Sequence, residues 1–379
     1  MEIPFQKTIT FLLFIAIGLL LKVKFTKKEE LVGIKKIILN LALPATIFLA
    51  LIGVKIDVGL LTLPFLALFL NVALFMTFPY LLPIMGIAKG SAKYRTARLL
   101  VPSLAPGLSC FPFVLEFLGE PYLAKAAMAD LGNKVFVLII LYMVAMNWHS
   151  LLEPKAVSTK TSKLKSLVLA MISEPVNIFI VIALILVFLG INLGSLPFFI
   201  QDGLGRLSTL MTPLVLLFIG LAVKIKRKQL MTLLSLLFLR AGVVTLLSAV
   251  FVVISGITAN DVLLLLCFGL SACSFWPFSH IAVVEAKEVD RKKKRKTFNS
   301  TFAINILALS FPLSTILILA VLSSGGTFTT VVPVLALGFA MVLLGLIPLL
   351  IKKIRRIRQK SGKQKEAWVV YRTSGTESV

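Results

Sequence analysis

The chain has 379 residues, of which 58% are hydrophobic and only 15% are charged. Soluble domains usually contain about half apolar and about a quarter charged residues, so this composition excludes an ordinary soluble protein. The formal net charge is +24, but the basic residues concentrate between long apolar segments, which favours a membrane topology over nucleic-acid binding.

Apolar segments of about 20 residues recur along the chain, and this is the length that a helix needs to cross a bilayer. Alternating strand patterns are absent, and helices satisfy their own backbone in lipid, so the pattern predicts an all-α polytopic membrane protein. The predicted spans lie near residues 8–23, 33–53, 58–86, 97–118, 121–147, 168–191, 203–223, 230–254, 261–286, 299–322 and 328–351.

The loops between these spans alternate sharply in charge. Every second loop is basic: residues 22–36 hold six lysines, residues 89–98, 155–165 and 224–228 hold four basic side chains each, residues 287–296 hold seven and residues 352–372 hold nine. The segments on the opposite side hold only Lys7, Lys55 and Arg206. Basic loops stay on the cytoplasmic side, so we expect an integral protein of the cell or bacterial inner membrane, with its N-terminus outside and its C-terminus cytoplasmic.

Two pairs of spans resemble each other. The second span contains Leu-Ala-Leu-Pro at 41–44, and the seventh contains Leu-Met-Thr-Pro at 210–213. The fourth and ninth share the order Gly-Leu-Ser, Cys, Phe, Pro-Phe, which begins at Gly107 and at Gly269. The offsets are 169 for the first prolines, 162 for the glycines and 165 for the second prolines, which indicates a duplication of five spans.

An odd number of crossings reverses the second copy in the membrane, so the repeats are expected to be inverted. The chain then divides into a first five-helix repeat at 1–147, a cytoplasmic linker at 148–167, a second inverted five-helix repeat at 168–322, an extra transmembrane helix at 323–351 and a basic cytoplasmic tail at 352–379.

Spans four and nine each carry Gly and Pro near the centre, which predicts that both helices break. Interrupted backbone at membrane depth must be buried in protein or line a cavity, and half-helix ends present partial charges there. We therefore predict that helices 4 and 9 cross at a solute site; two simple kinks are the alternative. The predicted substrate-binding residues are Gly107, Ser109, Pro112, Phe113, Gly269, Ser271, Pro277, Phe278 and His280.

Ionisable residues within spans are costly, which makes them candidates for function. Asp130 and Lys134 lie four apart on one helix face with Asn133 beside them, so these three are the candidates for coupling to a proton or a sodium ion. A structural salt bridge is the alternative. Glu116 is either a gate residue or an interfacial carboxylate, and Arg240 either lies deep in the membrane or reaches the interface.

The chain lacks a phosphate-binding loop, a His-Glu-x-x-His motif and a serine nucleophile elbow. With only two histidines, no metal centre, cofactor or catalytic residue is predicted, and we do not expect an enzyme. The pattern instead favours a secondary active transporter that moves a small organic anion or amphipathic solute by alternating access. A channel or a membrane sensor with the same fold is the alternative.

Over about residues 8–322 the chain resembles the auxin efflux carrier family of permeases, within the bile/arsenite/riboflavin transporter superfamily. The resemblance rests on residues 40–53, on Ser-Glu-Pro-Val-Asn at 173–177 through Gly220, and on Ala-Lys-Glu at 286–288. It implies a ten-helix core of two inverted five-helix repeats, with Pro112 and Pro277 as the prolines of the crossing helices. It further implies an often dimeric scaffold, which leaves a homodimer open, and a moving transport domain.

Members of that family carry organic anions, from plant auxin to bacterial dicarboxylates such as malate and malonate. This sequence departs from the plant pattern, which has a polar amide directly after each crossing proline, because it has Phe113 and Phe278 there. The third span also lacks the acid and base of the plant members, and Asp130 and Lys134 of the fifth span are their hypothetical replacements. The eleventh span is a further departure.

Overall fold

The computed structural model describes residues 3–54, 57–152, 160–222, 230–288 and 296–347. Within these ranges the regular secondary structure is helical, with no strand, which confirms the all-α prediction. The predictions for the basic tail, for most of the basic loop at 287–296 and for the middle of the linker fall on residues outside the described ranges.

The helices of the first half are α1 (Ile3–Leu21), α2 (Lys28–Ile37), α3 (Leu43–Ile52), α4 (Val58–Ile84), α5 (Ala92–Leu100), α6 (Pro106–Ser109), α7 (Phe111–Leu118), α8 (Glu120–Val135) and α9 (Leu141–Leu152). Those of the second half are α10 (Lys160–Ile172), α11 (Pro175–Phe188), α12 (Phe198–Thr209), α13 (Met211–Ala222), α14 (Leu230–Ser255), α15 (Ala259–Gly269), α16 (Trp276–Lys287), α17 (Ser300–Leu322) and α18 (Val331–Ile347). Two π-helical segments, Ile38–Ala42 and Phe136–Ile140, join α2 to α3 and α8 to α9.

In the described part of the chain, seven helical segments are long and apolar enough to cross a membrane, and α10 with α11 adds an eighth if this pair, bent by 58°, is one span. The chain is thus a multi-pass membrane protein. The predicted fourth and ninth spans are interrupted, and the predicted eleventh contains the shorter apolar helix α18. The assignment of these three segments as membrane spans, and with it the count of eleven, therefore stays a prediction.

One set of helices, the flanking group, comprises α1 to α3 and α11 to α13. In it α1 packs against α13, and α3 packs against α11 and α12. The backbones of α1 and α13 approach closely because Gly18 and Gly220 meet there. A Cβ on Gly220 would overlap the carbonyl oxygen of Ile15, and one on Gly18 would overlap that of Leu217. Small residues at such crossings are typical of membrane helix packing.

The other set, the central group, comprises α4 to α9 and α14 to α18. Here α4 packs against α8, α14 packs against α15 and α17, and α16 packs against α9. The backbones of α8 and α4 approach closely, since a Cβ on Gly132 would overlap the carbonyl oxygen of Pro64. The added helix α18 lies against α14, with Gly338 close to Leu246. The central group therefore contains both interrupted helices.

Candidate functional site

Both predicted interruptions are present. Helix α5 ends at Leu100, and after the non-helical residues 101–105 the short α6 leads into α7. Helix α15 ends at Gly269, and α16 begins at Trp276 after the non-helical residues 270–275. Pro112 and Pro277 lie in the first turns of α7 and α16, where a helix needs no backbone donor. The prolines therefore restart the helices after each break.

The first break (101–105) and the second break (270–275) are hydrogen-bonded to each other. The amide of Ala105 donates to the carbonyl of Ala272 at 2.8 Å. The amide of Ala272 donates to the hydroxyl of Ser109 at 2.9 Å, and that of Ser274 donates to the hydroxyl of Ser103 at 3.0 Å. Backbone groups that the helices no longer satisfy are thus satisfied across the contact.

Arg240 on α14 holds the first break from the side. Its Nε donates to the carbonyl of Val101 at 2.7 Å and its Nη2 to that of Ser103 at 3.2 Å. Only 3% of the residue is exposed, so of the two predicted alternatives Arg240 takes the deep position. The guanidinium lies where α5 ends, and the partial negative charge of a helix C-terminus stabilises a cation there.

The second break is held by α17 in a similar way. The hydroxyl of Ser314 donates to the carbonyl of Leu270 at 2.7 Å, and the amide of Cys273 donates to the hydroxyl of Ser310 at 3.3 Å. The hydroxyl of Ser271 is buried and has no hydrogen-bond partner among the described residues. This serine is thus an unsatisfied polar group within the second break.

The three predicted ion-coupling residues lie together in a buried polar network on α8. The Lys134 ammonium contacts the Asp130 carboxylate at 3.4 Å, and the Asn133 amide donates to Asp130 at 2.8 Å. Asn133 also donates to the carbonyl of Leu104 in the first break at 3.1 Å, and accepts from Asn71 on α4 at 3.1 Å. The salt bridge that was the alternative interpretation is present, and Asn133 connects it to the first break. A role in coupling transport to an ion stays a prediction.

The same lysine joins the two groups of helices. Its ammonium contacts the carboxylate of Glu174 at 3.1 Å and donates to the Asn177 amide oxygen at 2.7 Å. Both partners belong to the start of α11, where α10 and α11 meet at their bend. The sequence indicated that Asn177 could bond across helices, and it does so to Lys134. It singled out Glu174 only through the resemblance over 173–177, because an ion pair across 40 positions has no local signal. Lys134 therefore ties the central group to the flanking group.

His280 lies on α16 and contacts the segment between α8 and α9. Its Nε2 is 2.8 Å from the carbonyl of Val137, which belongs to the π-helical segment between α8 and α9. Its ring lies 5.5 Å from that of Tyr142, edge to face. A π-helical segment widens the helix and leaves carbonyls for other donors, so His280 joins α16 to α9. Its predicted role in substrate binding stays untested.

The two phenylalanines after the crossing prolines differ in their surroundings. Phe113 is fully buried and contacts Phe11 on α1, with ring centroids 5.4 Å apart. Phe278 is half-buried and lies 5.2 Å from the ring of Phe275. Gly269 has no room for a side chain, since a Cβ there would overlap Val244, whereas a Cβ on Gly107 would press on Leu43 at 3.3 Å. The residues that the two interrupted helices contribute to the predicted solute site therefore have unequal surroundings.

A second buried cluster, not predicted from the sequence, lies around Glu288 at the end of α16. Its carboxylate accepts from the Thr297 amide at 2.9 Å and the Thr297 hydroxyl at 2.5 Å, and lies 3.2 Å from His149 Nδ1. Arg95 on α5 donates to the Thr297 carbonyl at 2.7 Å. The cluster fastens α5, α9 and α16 to the start of α17, which stiffens one end of the central group.

A cavity of about 470 Å³ lies between the flanking and central groups, where α1, α7, α12 and α13 meet. Phe11 lines the cavity and contacts Phe113 of the first broken helix. The Lys7 ammonium donates to the main-chain carbonyl of Glu116 in its wall. The residues that line it are Gln6, Lys7, Thr10, Phe11, Phe14, Glu116, Thr209, Thr212, Pro213 and Leu216.

One sequence signal for the site was missed. Leu-Phe-Leu-Asn at 68–71 on α4 and Leu-Phe-Leu-Arg at 237–240 on α14 are 169 positions apart, the same offset as the first pair of prolines. Asn71 reaches the first break through Asn133, and Arg240 reaches it directly. Matching these segments would have singled out both residues.

A multi-pass helical protein with paired interrupted helices at its centre fits the class of membrane transporters. The chain is 28% identical over 229 residues to an uncharacterized transporter of Methanocaldococcus jannaschii, and the alignment covers 59% of this chain and 70% of that protein. No family model matches the chain. The relative supports a transporter rather than an enzyme, and the auxin efflux carrier family stays a prediction.

Proposed function

We propose that the protein is a secondary active transporter that moves a small organic anion or amphipathic solute by alternating access. The observation that carries this proposal is the direct hydrogen bonding between the first and second breaks. Helices α7 and α16 restart beside that contact, and a helix N-terminus attracts an anionic group. Paired interruptions of this kind are typical of secondary transporters.

The division of the helices into two groups supports movement of one group against the other. The polar contacts of Lys134 with Glu174 and Asn177, and that of Lys7 with the Glu116 carbonyl, join the two groups and would have to open and close during such a movement. We propose that a proton or a sodium ion acts at the Asp130, Asn133 and Lys134 network, because that network reaches both the first break and the flanking group.

The finer assignments belong to the same proposal. We infer an auxin efflux carrier-type permease with two inverted repeats, an external N-terminus and a cytoplasmic C-terminus, supported by the spaced motifs and by the charge alternation of the loops. A homodimer through the flanking group would follow from the family resemblance.

Counterflow in proteoliposomes tests the proposed function. Vesicles are loaded with unlabelled solute, and uptake of the labelled solute is followed for malate, malonate, indole-3-acetate and leucine. A carrier takes up labelled solute saturably and faster when the vesicles are loaded. Flux that does not saturate and ignores loading would contradict a carrier and favour a channel.

The same assay on two variants connects transport to the breaks. Ser103→Ala with Ser109→Ala removes two acceptors between the breaks, and we expect uptake to fall by about tenfold or more, in line with the effect of misplacing a site. Ser255→Ala is the control, because this exposed hydroxyl bonds only within its own helix. Equal uptake by both variants would contradict a role for the breaks.

A further inference from the structure

The cavity between the flanking and central groups contains two opposite charges that are not paired with each other. The Lys7 ammonium donates to the main-chain carbonyl of Glu116, not to its carboxylate, and lies 5.8 Å from the centroid of the Phe117 ring. The Glu116 carboxylate makes no hydrogen bond or ion pair with any described residue, although the residue is half-buried. Both residues line the cavity, and neither charge neutralises the other, so each has capacity to bind a ligand there.

Unsatisfied charges in a half-buried cavity carry a desolvation cost that a ligand can offset. An ammonium has three donors, and Lys7 uses one of them on the Glu116 carbonyl. A dicarboxylate would meet repulsion from Glu116, and a simple amine would meet repulsion from Lys7. A molecule with one carboxylate and one ammonium satisfies both charges together.

The remaining walls indicate what else the ligand contains. Phe11, Phe14, Pro213 and Leu216 give the cavity an apolar side, and the hydroxyls of its threonines give it a polar side. Its volume of about 470 Å³ falls within the range of about 300–1,000 Å³ that is usual for small-molecule sites. An apolar side chain of moderate size fits such a wall.

We propose that this cavity binds a small zwitterionic solute with an apolar side chain, its carboxylate on Lys7 and its ammonium on Glu116. Glu116 belongs to α7, which restarts after the first break, and Phe11 of the cavity contacts Phe113 in the first turn of the same helix. The inference rests on the proposed transport function and deepens it, because it selects a zwitterion from among organic anions and amphipathic solutes.

Thermal unfolding of the purified full-length protein in detergent tests the inference with three matched probes. Leucine carries both charges, 4-methylpentanoate lacks the ammonium, and 3-methylbutylamine lacks the carboxylate. A ligand that binds the folded state raises the unfolding temperature, and it does so increasingly as its concentration exceeds its Kd. We expect leucine to raise it at concentrations at least tenfold lower than either analogue.

Variants assign the two charges separately. Lys7→Met is expected to remove the advantage of leucine over 3-methylbutylamine, and Glu116→Gln is expected to remove its advantage over 4-methylpentanoate. Lys125→Met is the matched control, because Lys125 pairs with Asp261 and does not line the cavity. It should keep the order of the three probes unchanged.

Two outcomes overturn the assignment: equal stabilisation by leucine and 4-methylpentanoate, or leucine selectivity that survives both cavity substitutions. If either outcome is found and another solute shows counterflow, the carrier proposal stands and the proposal of a zwitterionic ligand fails. Leucine-selective stabilisation without counterflow of any solute would keep the binding site and contradict transport. The two proposals therefore fail separately.

Discussion

Polar contacts from three side chains converge on the buried ammonium of Lys134. The residue is 6% exposed, and its ammonium contacts two carboxylates and one amide oxygen, from Asp130, Glu174 and Asn177. A charge inside a membrane protein is tolerated when partners surround it in this way. Removing the cation leaves Asp130 and Glu174 as two neighbouring negative charges with no compensation, so the residue is expected to be sensitive to substitution.

We predict that Lys134→Met lowers the free energy of unfolding by about 3–5 kcal/mol, the usual cost of breaking a buried ion pair by removing one partner. Lys125→Met should lower it by about 0–1 kcal/mol, because the Lys125 and Asp261 pair is partly exposed. Denaturant titration in mixed micelles measures both. Adding Glu174→Gln to Lys134→Met should restore part of the loss, and equal losses for the two lysine variants would contradict the buried network.

Two glutamates three residues apart on the same helix end offer a matched comparison. Glu288 is 2% exposed and accepts from Thr297 and His149, whereas the side chain of Glu285 is 39% exposed beside Lys296. We predict that Glu288→Gln destabilises the protein by about 1–3 kcal/mol, because an amide leaves one of these donors unsatisfied. Glu285→Gln should change stability by about 0.5 kcal/mol or less. A thermal shift of equal size for both would contradict the cluster.

At the scale of elements, proline alone does not decide where a helix breaks. Helix α4 continues through Pro64, Pro79 and Pro83, and α17 continues through Pro312. The breaks occur where Gly and Pro combine and where other elements satisfy the freed backbone, as Arg240 and Ser314 do. The matched Gly and Pro positions made the breaks predictable, and the partners, which come from distant parts of the chain, were not.

The contact between α1 and α13 makes a prediction about glycine. Gly220→Ala places a methyl group against the backbone of α1, so we expect a loss of about 1–3 kcal/mol from overpacking. Gly33→Ala in α2 meets no atom within 4 Å and should raise stability by up to about 1 kcal/mol through helix propensity. Unfolding temperatures of the two variants measure the difference, and a neutral Gly220→Ala would contradict the close contact.

At the scale of the whole molecule, local sequence patterns predicted the class of protein but not how the helices pack against each other. Hydropathy predicted an all-α membrane protein, and the repeated Gly-Leu-Ser to Pro-Phe order located both breaks. The bend between α10 and α11, the link from Lys134 to Glu174 and the cavity at Lys7 have no such pattern. Each depends on which helices become neighbours, and that is decided by tertiary packing.

The proposed alternating access would involve a particular motion of the two groups of helices. The cavity opens between the flanking and central groups at α1 and α7, and the buried Lys134 network closes the same boundary at α8 and α11. Alternating access would open the boundary at the Lys134 network while closing the cavity at α1 and α7. Within the central group, by contrast, the Glu288 cluster and the close packing of α14 with α18 resist change.

A distance between the two groups tests this motion most directly. Spin labels at Val58→Cys on α4 and Phe198→Cys on α12 report on it, because both positions are exposed and begin helices that we expect to start outside. The three native cysteines, at 110, 267 and 273, are buried, which favours labelling of the introduced ones. Labels at Val58→Cys and Ile254→Cys, both in the central group, are the control.

Double electron–electron resonance on liposome-reconstituted protein measures both distances. Alternating access predicts at least two populated distances for Val58→Cys with Phe198→Cys, whose proportions change when a transported solute is added. It predicts a single, unchanged distance for Val58→Cys with Ile254→Cys. One fixed distance for both pairs, in a preparation that shows solute uptake, would contradict alternating access between these two groups.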